Sequence, residues 1–254
     1  MIDLYCERQS ASLGAEPINA LTNLAFLIAA LATCQLIRHS ARRGSGVWLL
    51  PTLMGTVAVG SGLFHTVATP WARVLDVLPI LLFQLAYLWF YARRILALGR
   101  AGSAVLLGAF LVAALLGRRF PAVLNGSLAY APGVLVMTAL GIHHRAVARR
   151  EPFALLAAAG LLLIAVVFRS VDQVLCQTWP LGTHFLWHLL AALAMYLVSR
   201  ALVLNWSSRR RHASVEVTAP DPRDAGRAGR ATLRPAAPAG ALGTPPRVAA
   251  ARRA

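Results

Sequence analysis

The amino-acid sequence predicts an all-α membrane protein: a bundle of seven transmembrane helices with its N-terminus outside and its C-terminus in the cytoplasm. Of the 254 residues, 58% are apolar and only 13% are charged, and the mean hydropathy is +0.62. Soluble domains rarely have such a composition, whereas polytopic helical membrane proteins do. The apolar residues also fall into separate stretches, most of them near the roughly 20 residues that one helical span requires.

These apolar stretches follow a short polar N-terminal segment, residues 1–16, that is expected to lie outside the membrane. Pro17 suits the first turn of a helix, and Pro70 ends the second apolar stretch. The polar turns between the stretches contain most of the arginines of the body. The predicted spans are 17–37, 47–67, 71–91, 103–116, 126–142, 153–168 and 182–204, which together form a membrane domain over residues 17–206.

The arginines predict the orientation of this domain. With the N-terminus outside, the inner loops hold nine arginines before the tail, and the outer segments hold five. Cytoplasmic loops of membrane proteins carry the excess of basic residues, so this distribution favours an external N-terminus. The inner set is Arg38, Arg42, Arg43, Arg93, Arg94, Arg100, Arg145, Arg149 and Arg150, and the outer set is Arg8, Arg73, Arg118, Arg119 and Arg169.

The net charge of +16 comes from arginine alone, since the chain contains no lysine. Ten of its 25 arginines follow Ser207, in a tail rich in Ala, Pro and Gly without apolar periodicity. Residues 207–254 are therefore expected to be a disordered cytoplasmic tail that could touch anionic headgroups. Nucleic acid is not an expected partner, because the apolar body indicates a protein of the bilayer.

Three of the seven histidines are predicted to lie in the membrane at the same depth. His184 and His188 are four residues apart at the start of the seventh span, so a helix places both on one face. His65 lies at the outer end of the second span. Three imidazoles with an open fourth position form a catalytic zinc set, although a packing role for each remains the alternative. The others, His39, His143, His144 and His212, are expected to be solvated.

Asp76 is the one acidic residue well inside a predicted span, eleven residues after His65. Both should line the same cavity in the outer leaflet, where a carboxylate needs a metal, a donor or a proton. Ser61 precedes His65 by one helical turn. Its hydroxyl could point at the metal or could bond back to its own helix. Arg169, Asp172 and Gln173, before the seventh span, are expected to be structural or to support the site.

The outer segments contain a further acidic group and two cysteines. Asp3, Glu7 and Glu16 crowd the N-terminal segment, and such oxygen-rich clusters suit calcium, although a solvated acidic terminus explains them equally. Cys6 and Cys176 both fall on the outer side and could form a disulfide in an oxidising compartment. That bridge would tie the N-terminal segment to the loop before the seventh helix.

Three blocks of sequence resemble the alkaline ceramidase family, seven-helix membrane hydrolases of the wider group that includes the adiponectin and progestin receptors. The blocks are DLYCER with EPINALTNLAFL, then GSGLFHTVATPWARVLDVLP, then RSVDQVLCQTWPLGTHFLWHLLAALAMY. They cover most of the membrane body, from Asp3 to Tyr196, and omit the tail. The blocks contain an S-x-x-x-H motif, then an Asp, then an H-x-x-x-H motif. In this order the three are a specific signal.

The resemblance implies a role for each matching residue. His65, His184 and His188 match the family's zinc ligands. Ser61 matches a serine that helps to hold the oxyanion, and Asp76 matches the aspartate that positions or deprotonates the attacking water. The family's calcium site would fall on Glu7, Glu16 and the neighbouring segment with Asp3. Here the chain departs from the eukaryotic pattern, because Leu4 separates Asp3 from the aromatic Tyr5 and Gln9 stands where an Asn is expected.

The resulting hypothesis is a zinc-dependent hydrolase that cleaves the amide of ceramide or a ceramide-like N-acyl lipid to a fatty acid and a sphingoid base. The alternatives are a related membrane hydrolase with another amide or ester substrate and a non-catalytic zinc-containing receptor. The expected partners are the lipid substrate and the bilayer, with no obligate protein partner. The arginine-only basic residues and the Ala/Pro-rich tail are typical of bacteria. They predict a multi-pass protein of the inner membrane with its active site near the periplasmic leaflet.

Overall fold

The computed structural model describes residues 1–40, 45–148 and 150–206, and these residues confirm the predicted all-α class. Short 3-10 turns, Ser45–Trp48 and Val123–Tyr130, precede two of the helices, and no strand occurs in the described ranges. The helices of this part of the chain are α1 (Pro17–Thr22), α2 (Leu24–His39), α3 (Leu49–Val67), α4 (Pro70–Arg94), α5 (Arg100–Gly117), α6 (Ala131–Val147), α7 (Ala154–Leu175) and α8 (His184–Leu204).

Seven helical segments of the described chain are long and apolar enough to cross a membrane, as predicted. The largest difference from the predicted bounds is in the sixth segment, which continues to Leu175 rather than ending at residue 168. The added turns contain Arg169 and Asp172, whose side chains are buried and hydrogen-bonded. Polar side chains with such partners can extend an apolar helix without an unsatisfied group.

Helix α8 is the most buried of the seven segments and packs against α7 and α2. Several alanines lie on its buried surface, including Ala191, Ala192 and Ala201. Small side chains at helix–helix contacts let the backbones approach closely in a membrane. Helices α3 and α4 also make an extensive contact with each other. Helix α3 carries His65, and α4 carries Asp76.

Gly60 of α3 packs against the backbone of α4. A Cβ atom at this position would lie 2.1 Å from the carbonyl oxygen of Leu75, so only glycine fits. That carbonyl lies four residues before Pro79, which has no N–H to complete the helical hydrogen bond. The close approach therefore covers a carbonyl that α4 itself leaves without its usual partner. It also brings the turns that carry Ser61 and Asp76 together, since each is the next residue along its helix.

The N-terminal segment, residues 1–16, folds across one end of the bundle. A backbone hydrogen bond of 2.8 Å from Ile2 to Ala68 joins it to the residue after α3. Cys6 and Cys176 form the disulfide that the sequence suggested, which joins the segment to the end of α7. The C-terminal end of α3 and the N-terminal ends of α4 and α8 lie under this segment. We refer to this end of the bundle as the histidine end.

One prediction about the histidines is wrong. His144, expected to be solvated, is fully buried in α6, and its Nδ1 lies 3.2 Å from the hydroxyl of Tyr91. It lies inside the helix rather than in the loop, so its ring turns towards α4. His39 is exposed, as predicted, and His212 lies outside the described residues. The tail predicted for residues 207–254 and the inner-loop arginines at positions 42, 43 and 149 also lie outside them.

Candidate metal centre

The three predicted histidines come together at the histidine end. His65 is contributed by the last turn of α3, and His184 and His188 by the first two turns of α8. All three are at most 2% exposed, and their ring centroids are 4.6 to 5.2 Å apart. One ligand atom from each ring lies within 4.8 Å of the other two. Among the residues that the structure describes, these three histidines are the group of His, Cys, Asp or Glu side chains that could hold a metal ion.

Two of the rings are held by a hydrogen bond on the nitrogen that faces away from the cluster. Nδ1 of His65 lies 2.5 Å from a carboxylate oxygen of Glu16, and Nδ1 of His188 lies 2.9 Å from the hydroxyl of Thr22. When the Nδ1–H of His65 donates to Glu16, Nε2 of the same ring keeps a lone pair that can bind a metal. Metal-binding histidines characteristically have this kind of outer hydrogen bond, which sets both tautomer and ring orientation.

The remaining ring nitrogens test whether a metal fits. Nε2 of His65, Nδ1 of His184 and Nε2 of His188 are buried, and none has a hydrogen-bond partner in the described part of the chain. A buried polar atom without a partner costs about 1–3 kcal/mol, so three in one cluster are an expensive arrangement for packing alone. A cation that accepts all three lone pairs removes that cost. Three neutral imidazoles are the donor set that zinc takes in catalytic sites.

Glu16 connects the cluster to the N-terminal segment. Its carboxylate is 1% exposed and also accepts hydrogen bonds from Nε of Arg8 at 2.6 Å and from the Asn19 amide at 3.2 Å. Burial acts to raise the pKa of Glu16, but the hydrogen bonds from His65 and Arg8 outweigh it and lower the pKa. Glu16 is therefore a carboxylate that orients His65, a role that its position in the sequence did not suggest.

The three residues predicted to bind calcium have different surroundings. Glu7 accepts the backbone N–H groups of Ile18 and Asn19 at 2.6 and 2.8 Å, and so caps the start of α1. Asp3 is exposed, and Glu16 belongs to the histidine network. The carboxylates of Glu7 and Glu16 thus already have protein donors. Calcium binding by these residues stays a prediction.

His184 is positioned by residues from two other parts of the chain. One carboxylate oxygen of the buried Asp172 accepts the backbone N–H groups of Thr183 and His184 at 2.6 and 2.9 Å, and the other accepts that of Cys6 at 3.0 Å. The ring of Tyr5 stacks on His184 with centroids 3.5 Å apart. Asp172 therefore fixes the first turn of α8, and the N-terminal segment covers its histidine. This agrees with the predicted supporting role of Asp172.

The two predicted catalytic residues lie on α3 and α4, towards the histidine end of the bundle. Ser61 is buried one turn before His65 on α3. Asp76 is half-buried on α4 and lines a cavity of about 90 Å³. Tyr5 and Phe64 line the same cavity and also contact the histidine rings. None of the three histidines is among the described residues that line it, so the cavity adjoins the cluster through Tyr5 and Phe64.

A comparison with known protein families agrees with this geometry. The family model described as Ceramidase matches residues 3–218 of the chain, which include every helix described above. The chain belongs to the ceramidase family. No curated protein matches it.

Family membership makes this protein a hydrolase that acts on the amide bond of ceramide. It also implies a lipid substrate, in agreement with seven helices able to cross a bilayer. The buried cluster lies next to a cavity at one end of the bundle, and this position suits a ceramidase. The amide of a membrane lipid lies near the bilayer surface, while its chains extend into the hydrocarbon.

Proposed function

We propose that this ceramidase is a zinc-dependent hydrolase that cleaves ceramide, or a ceramide-like N-acyl lipid, to a fatty acid and a sphingoid base. The observation that carries the proposal is the set of three buried histidines, which place one ligand atom each within 4.8 Å of the others and each have a buried ring nitrogen without a partner among the described residues. His65, His184 and His188 would hold the ion. A zinc ion on three imidazoles lowers the pKa of water towards about 7 and polarises a carbonyl group.

The remaining chemistry falls to side chains next to the cluster. The half-buried Asp76 would accept a proton from the attacking water as oxygen adds to the amide carbon. The same carboxyl would then give that proton to the departing nitrogen when the carbon–nitrogen bond breaks. The Ser61 hydroxyl, on the same helix as His65, would donate a hydrogen bond to the negative charge that develops on the carbonyl oxygen. The oxygen of the water thereby becomes part of the fatty acid, and its proton is transferred to the amine.

The surroundings of the cluster support these roles. Glu16 and Thr22 hold two of the rings by their outer nitrogens, so little reorganisation is needed when a metal binds. Gly60 keeps α3 and α4 in contact at the turns that carry Ser61 and Asp76. Tyr5 covers His184 and limits the access of bulk water.

We further propose that the histidine end faces outwards, towards the periplasmic leaflet of a bacterial inner membrane. Of the arginines that predict the orientation, six of those the structure describes belong to the opposite end of the bundle and five to the histidine end, and basic residues concentrate on the cytoplasmic side. The disulfide at the histidine end supports the same orientation, since disulfides persist in oxidising compartments.

The roles of Asp76 and the histidines can be separated by two variants. We expect Asp76→Asn to retain zinc but to lose at least about 100-fold in fatty-acid release from ceramide, a usual effect of removing a general base. We expect His188→Ala to lose both zinc and activity. Zinc analysis and a turnover assay on the purified proteins measure these outcomes. A zinc-loaded Asp76→Asn protein with full activity would show that the proton-transfer role is wrong.

A further inference from the structure

The cavity that contains Asp76 is strongly basic. Three arginines line it, Arg73, Arg118 and Arg169, against the single carboxylate of Asp76 among its described lining residues. Arg169 is buried and donates to the carbonyl oxygen of Asn125 and to the Ser127 hydroxyl at 2.8 and 2.7 Å. Its charge therefore belongs to the framework of the cavity wall. The other two arginines require a separate explanation.

Arg73 and Arg118 are exposed, and each belongs to a different wall of this cavity. Arg73 lies in the first turn of α4, and Arg118 directly follows α5. Both lie near enough to the phenol of Tyr130 for their charges to act on it. Among the described residues, neither guanidinium has an ion-pair or hydrogen-bond partner. Two cations from different helices that line one cavity, neither of them in an ion pair among the described residues, form a site for an anionic group.

The order of side chains along α4 indicates where that anion would lie relative to the reacting amide. Arg73 and Asp76 are three residues apart, so they share a face and are separated by about 4.5 Å along the helix axis. About one turn beyond Asp76 the lining becomes apolar, with Ile80 and Leu81, and Gln84 follows one turn further along. From the helix start inwards, the cavity thus presents a cation, the proposed proton acceptor and then hydrocarbon.

A second cavity continues the apolar part. It has a volume of about 40 Å³, shares Gln84 with the first and is lined mainly by apolar side chains, including Phe83, Leu88 and Phe110. An acyl chain that starts at Asp76 could follow this route into the bundle. The order of lining groups then matches a lipid that has an anion on one side of its amide and a hydrocarbon chain on the other.

We infer that Arg73 and Arg118 form a headgroup subsite that selects N-acyl lipids with an anionic group close to the amide. Phosphate on the carbon next to the amide-bearing carbon is the simplest such substrate, because it lies within about one helical turn of the amide. This inference rests on the proposed function, since it names the substrate class of the same site. It goes further by assigning the preference to two residues outside the metal centre.

The chain offers a matched control for these residues. Arg119 follows Arg118 directly and is also exposed, but it does not line the cavity. A general attraction between surface arginines and lipid phosphates would involve Arg119 as much as its neighbour. A subsite within the cavity involves Arg118 alone. Replacement of each by Gln removes the charge and retains a polar side chain of similar length.

The test compares two substrates with the same acyl chain, a ceramide and its 1-phosphate, in phosphatidylcholine vesicles with the purified full-length protein. We expect kcat/KM to be higher for the phosphate by about tenfold or more, as two charge-assisted contacts would supply. We expect the double variant Arg73→Gln/Arg118→Gln to reduce this ratio by about tenfold, each single variant to reduce it in part, and Arg119→Gln to leave it unchanged.

Three results would overturn the inference while leaving the proposed function intact. The first is cleavage of ceramide without preference for the phosphate, and the second is an equal loss of preference in Arg119→Gln. The third is activation of ceramide cleavage by phosphatidylglycerol in the vesicles, dependent on Arg73 and Arg118 but without preference for the phosphate substrate. That result would show that Arg73 and Arg118 bind the anionic lipids of the bilayer rather than the headgroup of the substrate. If neither substrate is cleaved by metal-loaded protein, the proposed function itself fails, and the inference fails with it.

Discussion

The contact between Glu16 and His65 leads to a prediction about metal affinity. In Glu16→Gln, the amide oxygen can still accept the hydrogen bond from Nδ1 of His65, but the negative charge that strengthens it is lost. A hydrogen bond to a charged group contributes about 1.5–3 kcal/mol and a neutral one about 1 kcal/mol. The difference of about 1–2 kcal/mol corresponds to a loss of roughly 5- to 30-fold in zinc affinity, which overlaps the roughly 10- to 100-fold known for such outer partners.

The assay is competition for zinc between the purified protein and a chelator of known affinity. The control is Glu7→Gln, which removes a carboxylate from the same segment that caps α1 and does not contact the histidines. We expect its zinc affinity to equal that of the unmodified protein. Equal affinities for Glu16→Gln and the unmodified protein would refute the orienting role of Glu16. If both variants instead lose only a response to calcium, the carboxylates act as the predicted calcium site.

Two further substitutions test how the helices position the site. Gly60→Ala places a methyl group 2.1 Å from the Leu75 carbonyl oxygen and should cost about 1–3 kcal/mol of stability, seen as a lower melting temperature and reduced turnover. Gly55→Ala, with nothing within 4 Å, should melt no lower than the unmodified protein, and equal melting of the two variants would contradict the close approach. Thr22→Val removes the partner of Nδ1 of His188 and should weaken zinc binding by about tenfold, measured by the same competition; unchanged affinity would mean that this hydrogen bond does not orient the ring.

The metal cluster could be predicted from the sequence because it depends on helix period and topology. The spacing of His184 and His188 puts both on one face, and the arginine-based topology placed His65 at the same depth. The structure brings all three rings together. The same argument predicts Ser61, one turn before His65 on α3, and Asp76, on the next helix, near the cluster.

The partners of the histidines could not be predicted in this way. Glu16 and His65 are 49 residues apart, and Thr22 and His188 are 166 apart, so no local pattern connects them. The acidic neighbours of Glu16 in the sequence indicate calcium instead. The basic and polar neighbours of His144 predict a solvated ring, which is wrong, because its burial against Tyr91 depends on how α6 packs on α4. Contacts of this kind depend on tertiary packing rather than on spacing.

The most direct test of the central proposal is the metal content of the purified protein measured together with its activity. We expect about one zinc ion per chain, in agreement with a three-histidine site, and fatty-acid release from ceramide that stops when a chelator removes the zinc and returns when zinc is added. In His65→Ala, zinc and activity should be lost together. Full ceramide hydrolysis by protein that contains no metal would contradict the assignment of His65, His184 and His188 as the catalytic metal centre.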